Sequence, residues 1–205
     1  MMLPRSSAAA ASGSAKRAKP TSRSTMGTTI PTAVEFIEKR DFVGAQTILD
    51  FRKRSAEADE HTMPWMAYCA WHTGDFEGAL QLQSEMADAG EGGPLLPLLD
   101  ASCLFYLGKY EEAREAAQRG PDVPLRVRLL FHISQKLGEE ESVVKYHKKL
   151  RNSKTDKLSL AAMHFSRGHY QEATDEYKKI FLDHRDDLAL NVYIAMCYYK
   201  VCLMA

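Results

Sequence analysis

The sequence predicts an all-α fold, a solenoid of helical hairpins coiled as a right-handed superhelix and preceded by a disordered tail. Three observations predict it. A six-residue motif returns at a nearly fixed spacing, apolar residues between its copies recur at helical spacing, and a charged, acid-free stretch sets the N-terminus apart.

The N-terminal element comes first. Met1–Thr29 holds five basic residues (Arg5, Lys16, Arg17, Lys19 and Arg23) and no acidic one, and its only apolar run is Ala8–Ala11. Such a stretch cannot bury enough surface to offset the entropy of ordering it, so residues 1–29 read as a disordered basic tail. A secretory signal would need a longer apolar core. A transit peptide would need an amphipathic face, and Leu3 and Met26 are too far apart to form one.

The repeats occupy residues 30–205. Arg40-Asp41-Phe42-Val43-Gly44-Ala45, Gly74-Asp75-Phe76-Glu77-Gly78-Ala79 and Gly108-Lys109-Tyr110-Glu111-Glu112-Ala113 align without a gap at steps of 34 residues. Gly138-Glu139-Glu140-Glu141-Ser142-Val143 follows at 30 residues, Gly168-His169-Tyr170-Gln171-Glu172-Ala173 at another 30, and Cys202 occupies the next slot after 34. A period of 34 with Gly-x-aromatic-x-x-Ala is the tetratricopeptide pattern. The Gly allows the tight turn between antiparallel helices. The aromatic (Phe42, Phe76, Tyr110, Tyr170) opens the second helix and packs back on the first. The Ala (Ala45, Ala79, Ala113, Ala173) sits where the two helices approach most closely. First helices carry matching small or apolar pairs at Met66-Ala67, Leu160-Ala161 and Ile194-Ala195, and Ala173, Tyr177 and Ile180 continue a second helix at helical spacing. The count is about five helix pairs plus the first helix of a sixth.

Departures from the pattern predict irregularity. Arg40 in the glycine slot implies a slightly wider turn. Gly120-Pro121 ends a short second helix, Val143 in the alanine slot implies looser or rotated packing, and Ala89–Pro97 reads as a flexible loop. Leu190–Val201 is an apolar first helix that Cys202-Leu203-Met204-Ala205 terminates. No second helix covers it, so Ile194 and Tyr198 should lie bare and the array reads as incomplete, a truncated form or an N-terminal portion.

Composition narrows the function. The chain has 205 residues, 27 basic and 27 acidic side chains, and 45% hydrophobic residues, enough for a sizeable core. Outside the tail, 22 basic face 27 acidic residues, a net of −5, which disfavours nucleic acid as a partner. No apolar run spans a bilayer. The four cysteines are too few for a disulfide scaffold. Cys69, Cys103 and Cys197 each stand five residues before a turn slot, in different repeats, and read as buried packing residues rather than shared metal ligands. Cys202 falls in a turn slot as an exposed thiol.

Among seven histidines, His164 and His169 are spaced poorly for a metal, and His184 lies in an inter-repeat loop. Glu139–Glu141 and Lys145–Lys149 read as a solvated helix face laced by i,i+4 pairs, with a basic groove at Lys145, Lys148, Lys149 and Arg151 as the alternative. No phosphate loop, nucleophile elbow or catalytic carboxylate pair is present, so the sequence reads as non-enzymatic, with no cofactor and no metal site. Arrays of this kind present a concave face lined by first helices to a peptide or subunit. Gripping an acidic C-terminus requires Lys and Asn there. Pro64, Tyr68, Leu98, Ser102, Leu158 and Ala162 stand at those places instead.

SLAAMHFSRGHYQEATDEYKKIFLDHRDDLALNVYIAMCYYK (Ser159–Lys200) closely resembles the tetratricopeptide-repeat subunits of intraflagellar transport complex B. So do KRDFVGAQTILDFRKR (Lys39–Arg54), WMAYCAWHTGDFEGAL (Trp65–Leu80) and RLLFHISQKL (Arg128–Leu137), and the tail is similar in character. The resemblance covers roughly Pro31–Lys200. It implies a non-catalytic scaffold in the cilium and cytoplasm that supports cilium assembly, with other complex B subunits and motility-related ciliary cargo as partners and with neither nucleic-acid binding nor membrane insertion. It implies longer relatives with further repeats, and no residue-level binding site. The alternative is a general peptide-binding tetratricopeptide adaptor or atypical co-chaperone outside cilia. A third reading, an organellar import-related protein, rests on the acid-free N-terminus alone.

Overall fold

The computed structural model describes residues 31–55 and 57–204; the predicted tail at 1–29 lies outside the described residues. The described residues form helices and turns and no strand. In order the helices are α1 (Ala33–Glu38), α2 (Phe42–Arg54), α3 (Thr62–Thr73), α4 (Phe76–Asp88), α5 (Leu96–Tyr106), α6 (Tyr110–Arg119), α7 (Pro124–Leu137), α8 (Glu140–His147), α9 (Lys154–Ser166), α10 (Tyr170–Asp183) and α11 (Leu188–Met204). They pair as hairpins, α1/α2 through α9/α10, and α11 follows against α10.

Each hairpin turn has the same construction. The glycine after the first helix takes a left-handed conformation, with φ of 86° at Gly74 and 80° at Gly168, and its N–H bonds back three residues while the next N–H bonds back five. Arg40 does the same at φ 58°: its N–H donates to the Ile37 carbonyl at 2.9 Å and that of Asp41 to the Phe36 carbonyl at 2.9 Å. The first turn is therefore no wider than the others, and Arg40 bears the backbone cost instead. Asp41 and Asp75 then cap the second helices, each accepting from a glycine N–H (Gly44, Gly78) at 2.9 Å. A Cβ on Gly78 would stand 2.2 Å from the Asp75 carboxylate, which is why the third helical position is glycine there.

Phe42, Phe76, Tyr110 and Tyr170 do open α2, α4, α6 and α10, and Ala45, Ala79, Ala113 and Ala173 are fully buried. Tyr110 and Tyr170 pack on Phe105 and Phe165 of their own first helices. Phe42 packs forward instead, stacking on His72 of the next unit at 4.4 Å, because the short α1 offers it little surface. The core is a chain of clusters, each drawn from three successive helices: Ala33, Leu49 and Cys69 from α1–α3, Leu98, Ala117 and Ile133 from α5–α7, Ala161, Ile180 and Cys197 from α9–α11.

Several expectations are corrected by packing. Leu96 and Pro97, assigned to the Ala89–Pro97 loop, begin α5, and Leu96 is buried; the rest of that segment turns at Gly90 and Gly93. Glu141 and Lys145, the i,i+4 pair that the two runs allow, form no ion pair, and Glu139 and Glu140 have valines at i+4. They reach other units, Glu139 to Arg114 at 2.6 Å and Glu140 to Arg167 at 2.9 Å. Helix α11 runs on through Cys202 to Met204, so Cys202 is an exposed helical residue and not part of a turn. Leu190 and Cys197 are buried against α9 and α10 and Ile194 packs beside them, while Ala195, Tyr198 and Tyr199 stay exposed. His184 does lie in the loop after α10, where it is half-buried.

The fourth hairpin is the irregular one. Helix α8 has only eight residues. Val143 is itself buried between Phe131 and Met163, yet α8 and α9 barely touch, and a cleft of about 450 Å³ opens beside Leu150, Arg151 and Leu160. The junction is held by α7 against α9 and by Arg128, which donates to the buried Asp156 at 3.0 Å. The Arg151 N–H donates to the other Asp156 oxygen at 2.9 Å. Burial opposes the charged form of Asp156, but these hydrogen bonds outweigh it and hold the carboxyl below the ordinary aspartate range.

Candidate functional site

The first helices of the second and third hairpins are nearly free of charge. Helix α3 reads Thr-Met-Pro-Trp-Met-Ala-Tyr-Cys-Ala-Trp-His-Thr, and α5 contains only Asp100. One side of each is consumed by the core: Met66, Cys69 and Ala70 on α3, Leu98, Ala101 and Cys103 on α5. The residues at helical spacing from these, Pro64, Tyr68 and Trp71 on α3 with Leu99 and Ser102 on α5, are left facing a groove of about 600 Å³ that reaches Leu125 at the start of α7.

Its wall is aromatic. Tyr68 meets Trp65 edge-on at 5.6 Å and lies 4.3 Å from His72, while Trp71 meets Tyr106 edge-on at 5.5 Å. Burial, aided by the charge of Arg40, lowers the pKa of His72, so its ring is neutral and packs as an aromatic. Tyr68 and Leu99, each 42% exposed, form the lips. Glu91 is the one Asp, Glu, Lys or Arg in the lining, and exposed Glu60 stands beside His61 at the same end, 3.6 Å away. Ion pairs tie the other hairpin junctions, Lys53–Glu85, Arg114–Glu139, Arg128–Asp156 and Lys154–Asp187; among the described residues none crosses from the second hairpin to the third. What crosses there is the buried Gln83 amide against the Cys103 thiol at 3.8 Å.

Of the six first-helix positions singled out in the sequence, the groove gathers Pro64, Tyr68 and Ser102. Leu98 is fully buried and does not project, Leu158 packs in the last cluster, and Ala162 is exposed elsewhere on α9. Trp65, Trp71 and Leu99 were not singled out, although Trp65–Tyr68 and Leu99–Ser102 have the i,i+3 spacing that would have placed them together.

The other candidates stay apart. Cys69, Cys103 and Cys197 are buried in separate clusters, and burial raises all three thiols, that of Cys103 to about 11, so none is a thiolate nucleophile at neutral pH. The rings of His164 and His169 are 6.2 Å apart, and burial lowers His164 despite Glu172 nearby. Lys145 and Lys149 both lie over the Tyr146 ring, at 5.6 and 5.9 Å, and Lys149 and Arg151 line a cleft of about 260 Å³ that they share with Asp122 and Asp156. No group of three metal-ligating side chains occurs among the described residues, and none of their helices is long and apolar enough to cross a membrane.

The family model described as Intraflagellar transport protein 56 matches residues 63–204, from the start of α3 to the end of α11. The chain belongs to the intraflagellar transport protein 56 family. A curated Caenorhabditis elegans relative named intraflagellar transport protein 56 homolog is 29% identical over 176 residues, covering 84% of this chain and 31% of the relative. The chain thus spans about a third of the length of the curated relative it matches. Two crystal structures share the fold. A thermophilic tetratricopeptide-repeat protein of Thermus thermophilus superposes with a TM-score of 0.67 at 17% identity, over 82% of this chain and 95% of that one. A tetratricopeptide-repeat protein of Parabacteroides merdae gives 0.53 at 17%, over 82% and 70%. The stretch matched to intraflagellar transport protein 56 contains the whole groove lining except His61.

Proposed function

We propose that this chain serves as a non-catalytic scaffold segment in intraflagellar transport. In this reading it packs against other complex B subunits at the cilium and in the cytoplasm, supports cilium assembly and helps load motility-related cargo. Membership of the intraflagellar transport protein 56 family, over residues 63–204, is the observation that carries the reading. The architecture suits it, because stacked hairpins present surfaces to partners, and three of the four thiols are buried apart from one another. The co-chaperone reading lacks its main requirement: no Lys or Arg lines the α3–α5 groove, so an acidic C-terminus would lose its hydration there without a cation in return.

The test is affinity purification of the tagged 205-residue chain from ciliated cells, with quantitative mass spectrometry. Enrichment of several complex B subunits over a non-ciliated control is the expected result. A reproducible partner set without complex B subunits would overturn the reading.

A further inference from the structure

We infer that the α3–α5 groove binds a short segment of another polypeptide that carries one or two large apolar side chains next to a Lys or Arg and no carboxylate. The inference rests on the scaffold reading and adds the chemistry of one partner. The groove's volume of about 600 Å³ lies inside the roughly 300–1,000 Å³ of typical ligand sites. Tyr68 and Leu99 stand at its lips, each 42% exposed, and Tyr106, against the lining residue Trp71, is 57% exposed. Three large apolar side chains this bare on neighbouring first helices mark an interaction surface rather than the scattered exposure that any protein shows.

Charge decides which segment fits. Glu91 lies in the lining and Glu60 beside His61, both at the end where the chain enters α3 and α5, and no Lys or Arg lines the groove to oppose them. An acidic segment would meet like charge on an apolar wall. A basic one would place its cation against Glu91 and Glu60 while its apolar side chain takes the space between Tyr68 and Leu99. The net −5 of residues 30–205 favours the same partner at longer range. Aromatic and aliphatic side chains make up most of the lining, with polar tips at His61, Tyr68, Gln83 and Ser102 among them, so side-chain burial supplies most of the affinity and one or two anchors dominate it.

The test uses the full chain, immobilised, against a displayed library of random short peptides, followed by titration of the enriched peptides in solution. Trp65 and Trp71 are the two tryptophans of the chain and both line the groove, so intrinsic tryptophan emission reports occupancy directly. The expected result is a consensus joining an aromatic or long aliphatic residue to Lys or Arg, and a saturable emission change. Glu91→Lys, an exposed loop substitution, should weaken binding about tenfold without altering the thermal melt, and Tyr68→Ala should weaken it as well. Enrichment of acidic peptides, no enrichment at all, binding without an emission change, or unaltered affinity in Glu91→Lys would each overturn the proposal. Complex B recovery is measured separately with Glu91→Lys and Leu99→Arg. If the peptide result fails while those subunits still co-purify, the groove assignment falls and the scaffold reading stands.

Discussion

Arg40 shows how far a repeat will go to keep its turn. At φ 58° it makes the hydrogen bonds that glycine makes in the other hairpins, although a left-handed conformation costs an L-residue about 1–2 kcal/mol. Glycine would also gain freedom in the unfolded chain, about 0.5–1 kcal/mol. Arg40→Gly is therefore expected to stabilise by up to about 1 kcal/mol, and Gly74→Ala to destabilise by about 1 kcal/mol. No atom lies within 4 Å of a Cβ at Gly74, so the loss would be conformational. Both changes are read from the urea midpoint at unchanged slope. His132 carries a pH prediction. Burial first, then the charges of Lys136 and Arg128, lower its pKa from 6.5 to about 4. A folded-state value below the unfolded one means that the neutral ring contributes fully above about pH 6.5, and that this stability is lost as pH falls toward 4. His132→Phe should flatten the melting temperature against pH across that window. An unchanged slope would count against a buried neutral His132.

At the scale of elements, the weak place is the seam between α8 and α9, where a helix of eight residues leaves Arg128 and Asp156 to bridge α7 to α9. Asp156→Ala removes a carboxylate that accepts from both Arg128 and the Arg151 backbone, and leaves a largely covered guanidinium unpaired. A loss of about 3 kcal/mol is expected, measured by denaturant titration. Because Asp156 is held below the ordinary value of 3.8, its contribution is present above that pH and disappears as pH falls through the folded-state pKa, below the window of His132. Helix boundaries were legible in the sequence wherever the motif marked a turn, since Gly74, Gly108, Gly138 and Gly168 end first helices by a local backbone preference. The starts of first helices were less legible. Leu96-Pro97 follows Gly-Gly-Pro and reads as loop, but burial of Leu96 against Ala67 and Met86 draws it into α5.

At the scale of the whole described array, every cluster joins three successive helices and none joins distant ones, so the stack behaves as a chain of nearest-neighbour contacts. Amide hydrogen exchange should therefore be uneven, with α8 exchanging fastest among α2–α10 and α9–α11 protected as a block distinct from α2–α6. Uniform protection would contradict this. Helix α11 is the other consequence of one-dimensional stacking. Leu190 and Cys197 bury one side, while Val192, Met196, Tyr199 and Leu203 remain exposed on it. Met196→Glu combined with Tyr199→Lys is expected to leave the thermal melt unchanged, because neither side chain is packed in the array.

The sequence by itself determined the all-α repeat architecture, its period, the hairpin turns, the residues at the closest helix approaches and the family. Each of these follows from short-range rules: a left-handed turn and an alanine where backbones meet, recurring about every 34 residues. Tertiary structure alone decided which first-helix residues remain free. Pro64, Tyr68 and Ser102 face the groove whereas Leu98, at an equivalent place, is sealed into the core beside Ala113 and Ile133, because side-chain direction depends on how one hairpin rotates against the next. It also decided the ion pairs. Glu139 and Glu140 have Ser142, Val143 and Val144 one turn along the helix and pair instead with Arg114 and Arg167, which stacking brings in from flanking hairpins.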